Sequence, residues 1–233
     1  MSGFETEEAK QSAAIQHVYG NINEHLNDSA YMMSNIIICP HNRNVKKLND
    51  KIIESMSTME YLSYSSDTST DQSVEIGEEV LNTLEIPGLP SHVLTLKEKM
   101  PVMLMRNISK HKKLCNGTRL IVQKVTGNLL FTINPVTNEE IILPRFNLES
   151  DIKKVGIVFK RRQFPVVPAF AITANKSQGQ TIKGKVAIYL WEDCFSHGQL
   201  YVASSRATHP SHLKYYIRNQ IVGTRNVVLK QVL

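Results

Sequence analysis

Ala169-Phe-Ala-Ile-Thr-Ala-Asn-Lys-Ser-Gln-Gly-Gln-Thr181 carries an apolar strand straight into a polar, glycine-containing turn. A strand that ends at Thr173-Ala174 releases the next side chains at the carboxyl edge of its sheet, where open α/β sheets bind ligands. Lys176 offers a cation to a phosphate, Ser177 and Gln178 offer short hydrogen-bonding groups, and Gly179 lets backbone approach a ligand closely. About twenty residues on, Gly198-Gln-Leu-Tyr-Val-Ala-Ser-Ser reads as a short helix that delivers Arg206, with Leu200, Val202 and Ala203 turned inward. A cation at a helix C-terminus is favourable by about 0.3–1 kcal/mol in any protein, so Arg206 has a structural reading beside a functional one.

Working outward, Asn35-Ile-Ile-Ile-Cys39 is a short apolar run rich in β-branched residues, the mark of a strand buried on both faces. Pro40-His41-Asn42 stops it, and Asn42 is suited to cap a helix whose inner face is Val45, Leu48 and Ile52. Strand, polar turn and capped helix form the repeating unit of a parallel sheet. Ahead of it, Ile15, Val18, Tyr19, Ile22 and Leu26 mark one face of an amphipathic helix. Further α/β elements are expected as strands at 168–174, Lys185–Leu190 and Leu213–Ile217, followed by a terminal helix.

Between these halves the texture changes. Residues 55–73 hold ten Ser/Thr and no basic residue, which reads as a surface loop or flexible insertion. From Val93 to about Leu148, five short strands are expected: Val93–Leu96, Val102–Met105, Arg119–Val125, Leu129–Ile133 and Glu140–Leu143. Gly127-Asn128 and Asn134-Pro135 supply turns between them, and five such strands suggest a small antiparallel barrel. The expected organisation is therefore an α/β domain in two pieces, 1–91 and 151–233, around a β insertion at 92–150.

Charge follows a similar division. Residues 1–91 carry 5 basic and 14 acidic side chains, whereas 92–233 carry 22 and 7. Any polyanion contact is expected on the second part, with Arg106, Lys110, Lys112, Lys113 and Arg119 on or between the barrel strands and further cations at 153–162. Phe164, Phe170 and Tyr201 could stack on bases but are read as core. Three widely spaced cysteines suggest neither a disulfide framework nor a zinc site, and point to a reducing compartment, cytosol or nucleus. The acidic N-terminus lacks a secretory pattern, and no apolar run approaches the ~18 residues of a membrane span. His209-Pro-Ser-His212 lacks an acidic or thiol partner for a metal, and Ser196-His197 lacks a glycine-framed serine elbow.

Two stretches carry a resemblance. Ala169–Ile182 and Phe195-Ser-His-Gly-Gln-Leu-Tyr-Val-Ala-Ser-Ser-Arg206 resemble the fifth and sixth helicase motifs of Pif-type superfamily 1 DNA helicases, a group that includes the Helitron helicase region and is related to RecD-like enzymes. Met100-Pro-Val-Met-Leu-Met-Arg-Asn107, Leu114–Val122 and Lys160-Arg-Arg-Gln-Phe-Pro165 match in the same order, and Pro40–Asn49 looks like a diverged fourth motif.

The resemblance implies a second RecA-like domain, a parallel sheet with flanking helices, carrying an inserted small Src-homology-type β-barrel. In such enzymes two RecA-like domains clasp ATP and Mg2+ and move 5′ to 3′ along single-stranded DNA. By analogy Thr173, Asn175, Lys176, Ser177 and Gln178, with Arg106 and Arg119, would touch DNA. Gly179 and Gln180 would lie beside the nucleotide, and Arg206 would be the arginine finger. No G-x-x-x-x-G-K-[ST] phosphate loop occurs in these 233 residues, so ATP and Mg2+ are expected to be held mainly by a first RecA-like domain supplied in cis or in trans. The chain alone is expected to lack turnover; the alternative is a non-catalytic nucleic-acid-binding remnant. The resemblance points to the nucleus, with the mitochondrion as the other location, and to no membrane partner. Ser204 stands where the family usually has leucine, and Ser34-Asn35 where a Glu-Arg pair is common.

Overall fold

Four consecutive side chains, Ile36-Ile-Ile-Cys39, are fully buried, as a strand covered on both faces requires. The computed structural model describes residues 6–69, 77–86, 88–149, 159–218 and 223–228. Along the chain come helices α1 (Glu7–Tyr19) and α2 (Ser29–Ser34), strand β1 (Ile36–Cys39) and helix α3 (Asn42–Ser55). Strands β2 (Glu60–Tyr64) and β3 (Ser66–Ser69) precede helix α4 (Glu78–Thr83). Next are β4 (Val93–Lys97), β5 (Pro101–Leu104), β6 (Arg119–Thr126), β7 (Leu129–Asn134), β8 (Glu139–Pro144) and β9 (Phe146–Glu149). The series closes with β10 (Phe159–Gln163), β11 (Val166–Pro168), β12 (Ala171–Thr173), β13 (Val186–Leu190), α5 (Gln199–Ser204) and β14 (Leu213–Ile217).

The elements form two compact units, Met1–Ser57 with Ala169–Leu233, and Thr58–Pro168. In the first, all strands run parallel in the order β12-β1-β13-β14, with Ile37 opposite Ala171 on one side and Ala187 on the other. The edge strand β12 is secured by Asn49 of α3. Its Oδ1 accepts from the backbone N–H of Phe170 and Ala171, and its Nδ2 donates to the Ala171 carbonyl at 3.0 Å. Tyr19 of α1 donates its hydroxyl to the Asn35 carbonyl at 2.8 Å, fixing α1 against the entrance to β1. Asn35 is buried and structural: its Nδ2 donates to the Tyr31 carbonyl and its Oδ1 accepts from the Lys185 N–H.

The inserted unit is antiparallel. One sheet runs β11-β5-β6-β7-β8, a second β3-β10-β9, and β4 pairs with β2. The strands expected from the sequence are present, but their partners differ. Val93–Lys97 pairs with Glu60–Tyr64 rather than joining the five-stranded sheet, where Val166–Pro168 takes the fifth place.

Residues 60–69, expected as a flexible loop, are strands, so the compact unit begins at Thr58 and ends at Pro168 instead of spanning 92–150. The misreading has a physical cause: the usual polarity is inverted here. Ser63, Ser65 and Asp67 point inward while Leu62, Tyr64, Ser66 and Thr68 face out. The buried polar groups are satisfied: Ser63 donates to Gln163 Oε1 at 2.7 Å, Ser65 to Asp67, and Asp67 accepts a two-nitrogen fork from Arg161. Arg161, expected among the surface cations, is wholly buried and also donates to the carbonyls of Leu81, Leu84 and Pro90, which ties α4 to β3 and β10. The expected terminal helix lies mostly outside the described residues, and 223–228 are not helical.

Candidate nucleotide and nucleic-acid site

Beyond β12 the chain turns once as a 3-10 helix, Asn175–Ser177, at the carboxyl edge of the parallel sheet. Thr173 and Ser177 build this turn. Thr173 Oγ1 accepts from the Lys176 N–H at 3.4 Å, and the wholly buried Ser177 donates its hydroxyl to the Ala174 carbonyl at 2.7 Å. Ser177 therefore holds the turn instead of presenting a hydroxyl to solvent. Asn175, Gln178 and Gly179 are exposed, and Lys176 and Gln180 are half-buried. Burial lowers the Lys176 pKa from its ordinary value, because desolvation disfavours the charged ammonium. Gly179 has φ +77°, with open space where a Cβ would stand.

Arg206 is joined to this turn. The Ile182 N–H donates to the Arg206 carbonyl at 2.9 Å, and Arg206 Nη1 donates to the Gln180 carbonyl at 3.2 Å. Its Nε donates to the Val202 carbonyl and its Nη2 to Ser205 Oγ, so among the described residues its fork is held by neutral acceptors and no carboxylate. The turn and the distal arginine thus share one edge. Helix α5 starts at Gly198 in the left-handed region and is braced by buried Gln199, which reaches the Pro40 carbonyl and accepts from the Phe195 N–H.

Ala203 faces the core as expected, while Leu200 and Val202 are half-buried and Tyr201, read as core, is 75% exposed. Ser204 makes good its departure from leucine by donating to the Leu200 carbonyl and accepting from Tyr215 at 2.9 Å. Phe164 and Phe170 are core.

A residue the sequence reading passed over is Arg43, in the first turn of α3, which pairs with Glu192 just past β13. It falls within the quoted 40–49 stretch, but its acidic partner 149 residues away has no local signal. In the inserted unit, Arg106 is exposed and donates to the Asn147 carbonyl, whereas Arg119 is buried in β6 and is not available at the surface.

The exposed amides, Lys176 and Arg206 suit a phosphate-bearing anion. Magnesium fits less well: among the described residues no three His, Cys, Asp or Glu side chains converge on a metal position. No helix of the described residues is long and apolar enough to cross a membrane.

A parallel sheet flanked by helices, interrupted by a small antiparallel domain, defines a RecA-like domain with a β insertion. Residues 79–125 match the family described as DNA helicase Pif1, 2B domain. The ATP-dependent DNA helicase Pif1 of Bdellovibrio bacteriovorus is 25% identical over 202 residues, covering 85% of this chain and 43% of that protein. Its namesake in Campylobacter jejuni is 46% identical over 67 residues, 29% of this chain and 14% of the other. The crystal structure of Pif1 helicase from Bacteroides in complex with ADP-AlF3 and ssDNA superposes with a TM-score of 0.59 at 23% identity, over 91% of this chain and 50% of that one. The chain is therefore similar to Pif1-type helicases, and the likeness supports a C-terminal part of such a protein. It spans less than half the length of these two curated relatives.

Proposed function

We propose that the chain is the C-terminal portion of an ATP-dependent 5′-to-3′ DNA helicase, supplying single-stranded DNA contacts and an arginine finger to a nucleotide gripped by a phosphate-loop domain. The observation that carries this reading is the joining of the Lys176 turn to Arg206 at the carboxyl edge of a parallel sheet, the edge where such sheets take ligands. Among the described residues Arg206 is held by carbonyls and a hydroxyl, and a γ-phosphate is a stronger acceptor for its fork than these. Asn175, Lys176 and Gln178 would meet the DNA backbone, and Gly179 and Gln180 the nucleotide, with Thr173 and Ser177 shaping the turn. ATP would bring its Mg2+ on ligands from the other domain. A nuclear location belongs to the same proposal.

The test is to mix the chain with a separately produced phosphate-loop domain of a Pif1-type relative and follow ATP hydrolysis with and without oligo-dT. DNA-stimulated turnover is expected in the mixture and none from the chain alone; robust hydrolysis by the chain alone would overturn the reading. The lack of a phosphate loop within these 233 residues favours one other reading, a binding remnant. It predicts salt-dependent strand binding and a mixture that never turns over.

A further inference from the structure

Helix α5 is too short to hold itself in place. It has six residues, and isolated helices below ~12 residues are marginal in water. Packing does little for it: of its apolar side chains only Ala203 is buried, while Leu200 and Val202 are half-buried and Tyr201 faces solvent. Yet the end of this helix sets the position of Arg206.

Two tethers reach that end. One is backbone: the Ile182 N–H donates to the Arg206 carbonyl at 2.9 Å, and the Thr208 N–H donates to the Ile182 carbonyl at 3.2 Å. It pins the chain just beyond the helix. The other is a pair of hydroxyls. Tyr215 of β14 donates to Ser204 Oγ at 2.9 Å, and Ser204 donates onward to the Leu200 carbonyl at 2.8 Å. Tyr215 is itself held in the sheet, where it stands opposite Ile188 of β13. With the backbone tether alone, the helix is free to swing about Ile182 and to carry Val202 and Ser205 with it. Those residues accept from Arg206 Nε and Nη2 at 2.9 and 2.8 Å, so a displaced helix displaces the guanidinium. Ser204 stands where leucine is usual in the family named above. A leucine there would anchor the helix by packing, which the short polar serine cannot do.

We propose that Tyr215, acting through Ser204, is a positioning residue for Arg206, the hydroxyl pair standing in for leucine packing in setting where the guanidinium points. The inference rests on the helicase reading above and deepens it. No step of the chemistry falls to Tyr215. An arginine that meets charge developing on a γ-phosphate loses effect steeply when it is misplaced by ~1 Å. A contact made only in the transition state shows its loss in kcat and not in KM.

Two measurements test it: ATP turnover of the full chain mixed with the phosphate-loop domain of a Pif1-type relative and oligo-dT, and amide hydrogen exchange of the full chain alone. Y215F keeps the ring and removes only the hydroxyl. It is expected to lower kcat about 2- to 12-fold, the range spanned by the net worth of one hydrogen bond, with KM for ATP and oligo-dT affinity unchanged. S204A is expected to do the same, and S204A/Y215F to lose no more than S204A alone, because the two hydroxyls make one bond. S204L/Y215F is expected to return kcat towards the parent value by packing. In the chain alone, Y215F is expected to quicken exchange by a similar factor at Ser205 and Arg206, whose N–H groups bond the Tyr201 and Ala203 carbonyls, with β1 and β13 unchanged. A mixture that turns over while Y215F matches the parent in both kcat and exchange overturns the inference and leaves the helicase reading intact. So does a Y215F effect confined to KM, or losses from S204A and Y215F that multiply in the double variant. A mixture without turnover defeats the helicase reading and takes this inference with it.

Discussion

Gly179 occupies a left-handed conformation, φ +77°, in the turn that presents Lys176, and a Cβ there would meet nothing within 4 Å. Substitution is therefore penalised by backbone strain alone, without a clash. G179A is expected to cost about 1–2 kcal/mol and G179N much less, since asparagine visits this region readily. Urea unfolding followed by the fluorescence of Trp191, the one tryptophan in the sequence, measures both; equal stability of the alanine and parent chains would refute the strain argument. On the proposed reading Arg206 is the arginine finger. R206A in the reconstituted mixture is expected to lower ATP turnover by about 10³–10⁵, with oligo-dT binding retained. R206K keeps the charge but loses the fork and is expected to recover little. The strand-to-turn change at 173–181 was legible because apolar residues give way abruptly to polar ones. The burial of Ser177, whose hydroxyl turns back on the Ala174 carbonyl, and of Arg119 was not.

At the scale of elements, β12 is an edge strand, yet it must hold the turn in register with β1. Asn49 supplies the hydrogen bonds that a neighbouring strand would otherwise give, satisfying two N–H groups and one carbonyl. N49A leaves those buried groups without their partner, and each unsatisfied group costs ~1–3 kcal/mol before relaxation. A loss of about 2–4 kcal/mol is expected by urea unfolding, with the Trp191 signal reporting it; a change below about 0.5 kcal/mol would show that β12 holds itself. The strands β1, β13 and β14 stand where their sequences place them, β1 and β13 as continuous buried apolar runs. The strands β2 and β3 were hidden because their inward residues are Ser63, Ser65 and Asp67, buried only by virtue of Gln163 and Arg161 a hundred positions on.

Across the whole molecule, each unit has a polar keystone of its own: Asn49 in the parallel-sheet unit and the Asp67–Arg161 pair in the inserted one. The pair has both side chains fully buried, and Arg161 spends its donors on Asp67 and three carbonyls. Removing one partner of such a pair strands the other charge, so D67A is expected to destabilise the inserted unit by about 3–5 kcal/mol. D67L/R161M should recover part of that loss, limited by the carbonyls of Leu81, Leu84 and Pro90 that the methionine cannot serve. Among the described residues Asn49 and Asp67 share no hydrogen-bond partner, so their contributions are expected to add. Urea unfolding of N49A, D67A and the double variant, followed by far-ultraviolet circular dichroism alongside Trp191 fluorescence, would read the sum. Agreement within about 0.5 kcal/mol supports two separately secured units. A coupling well above that would mean that a fault in the insertion reaches the sheet edge bearing Lys176 and Arg206, making the inserted unit part of what holds the turn in place.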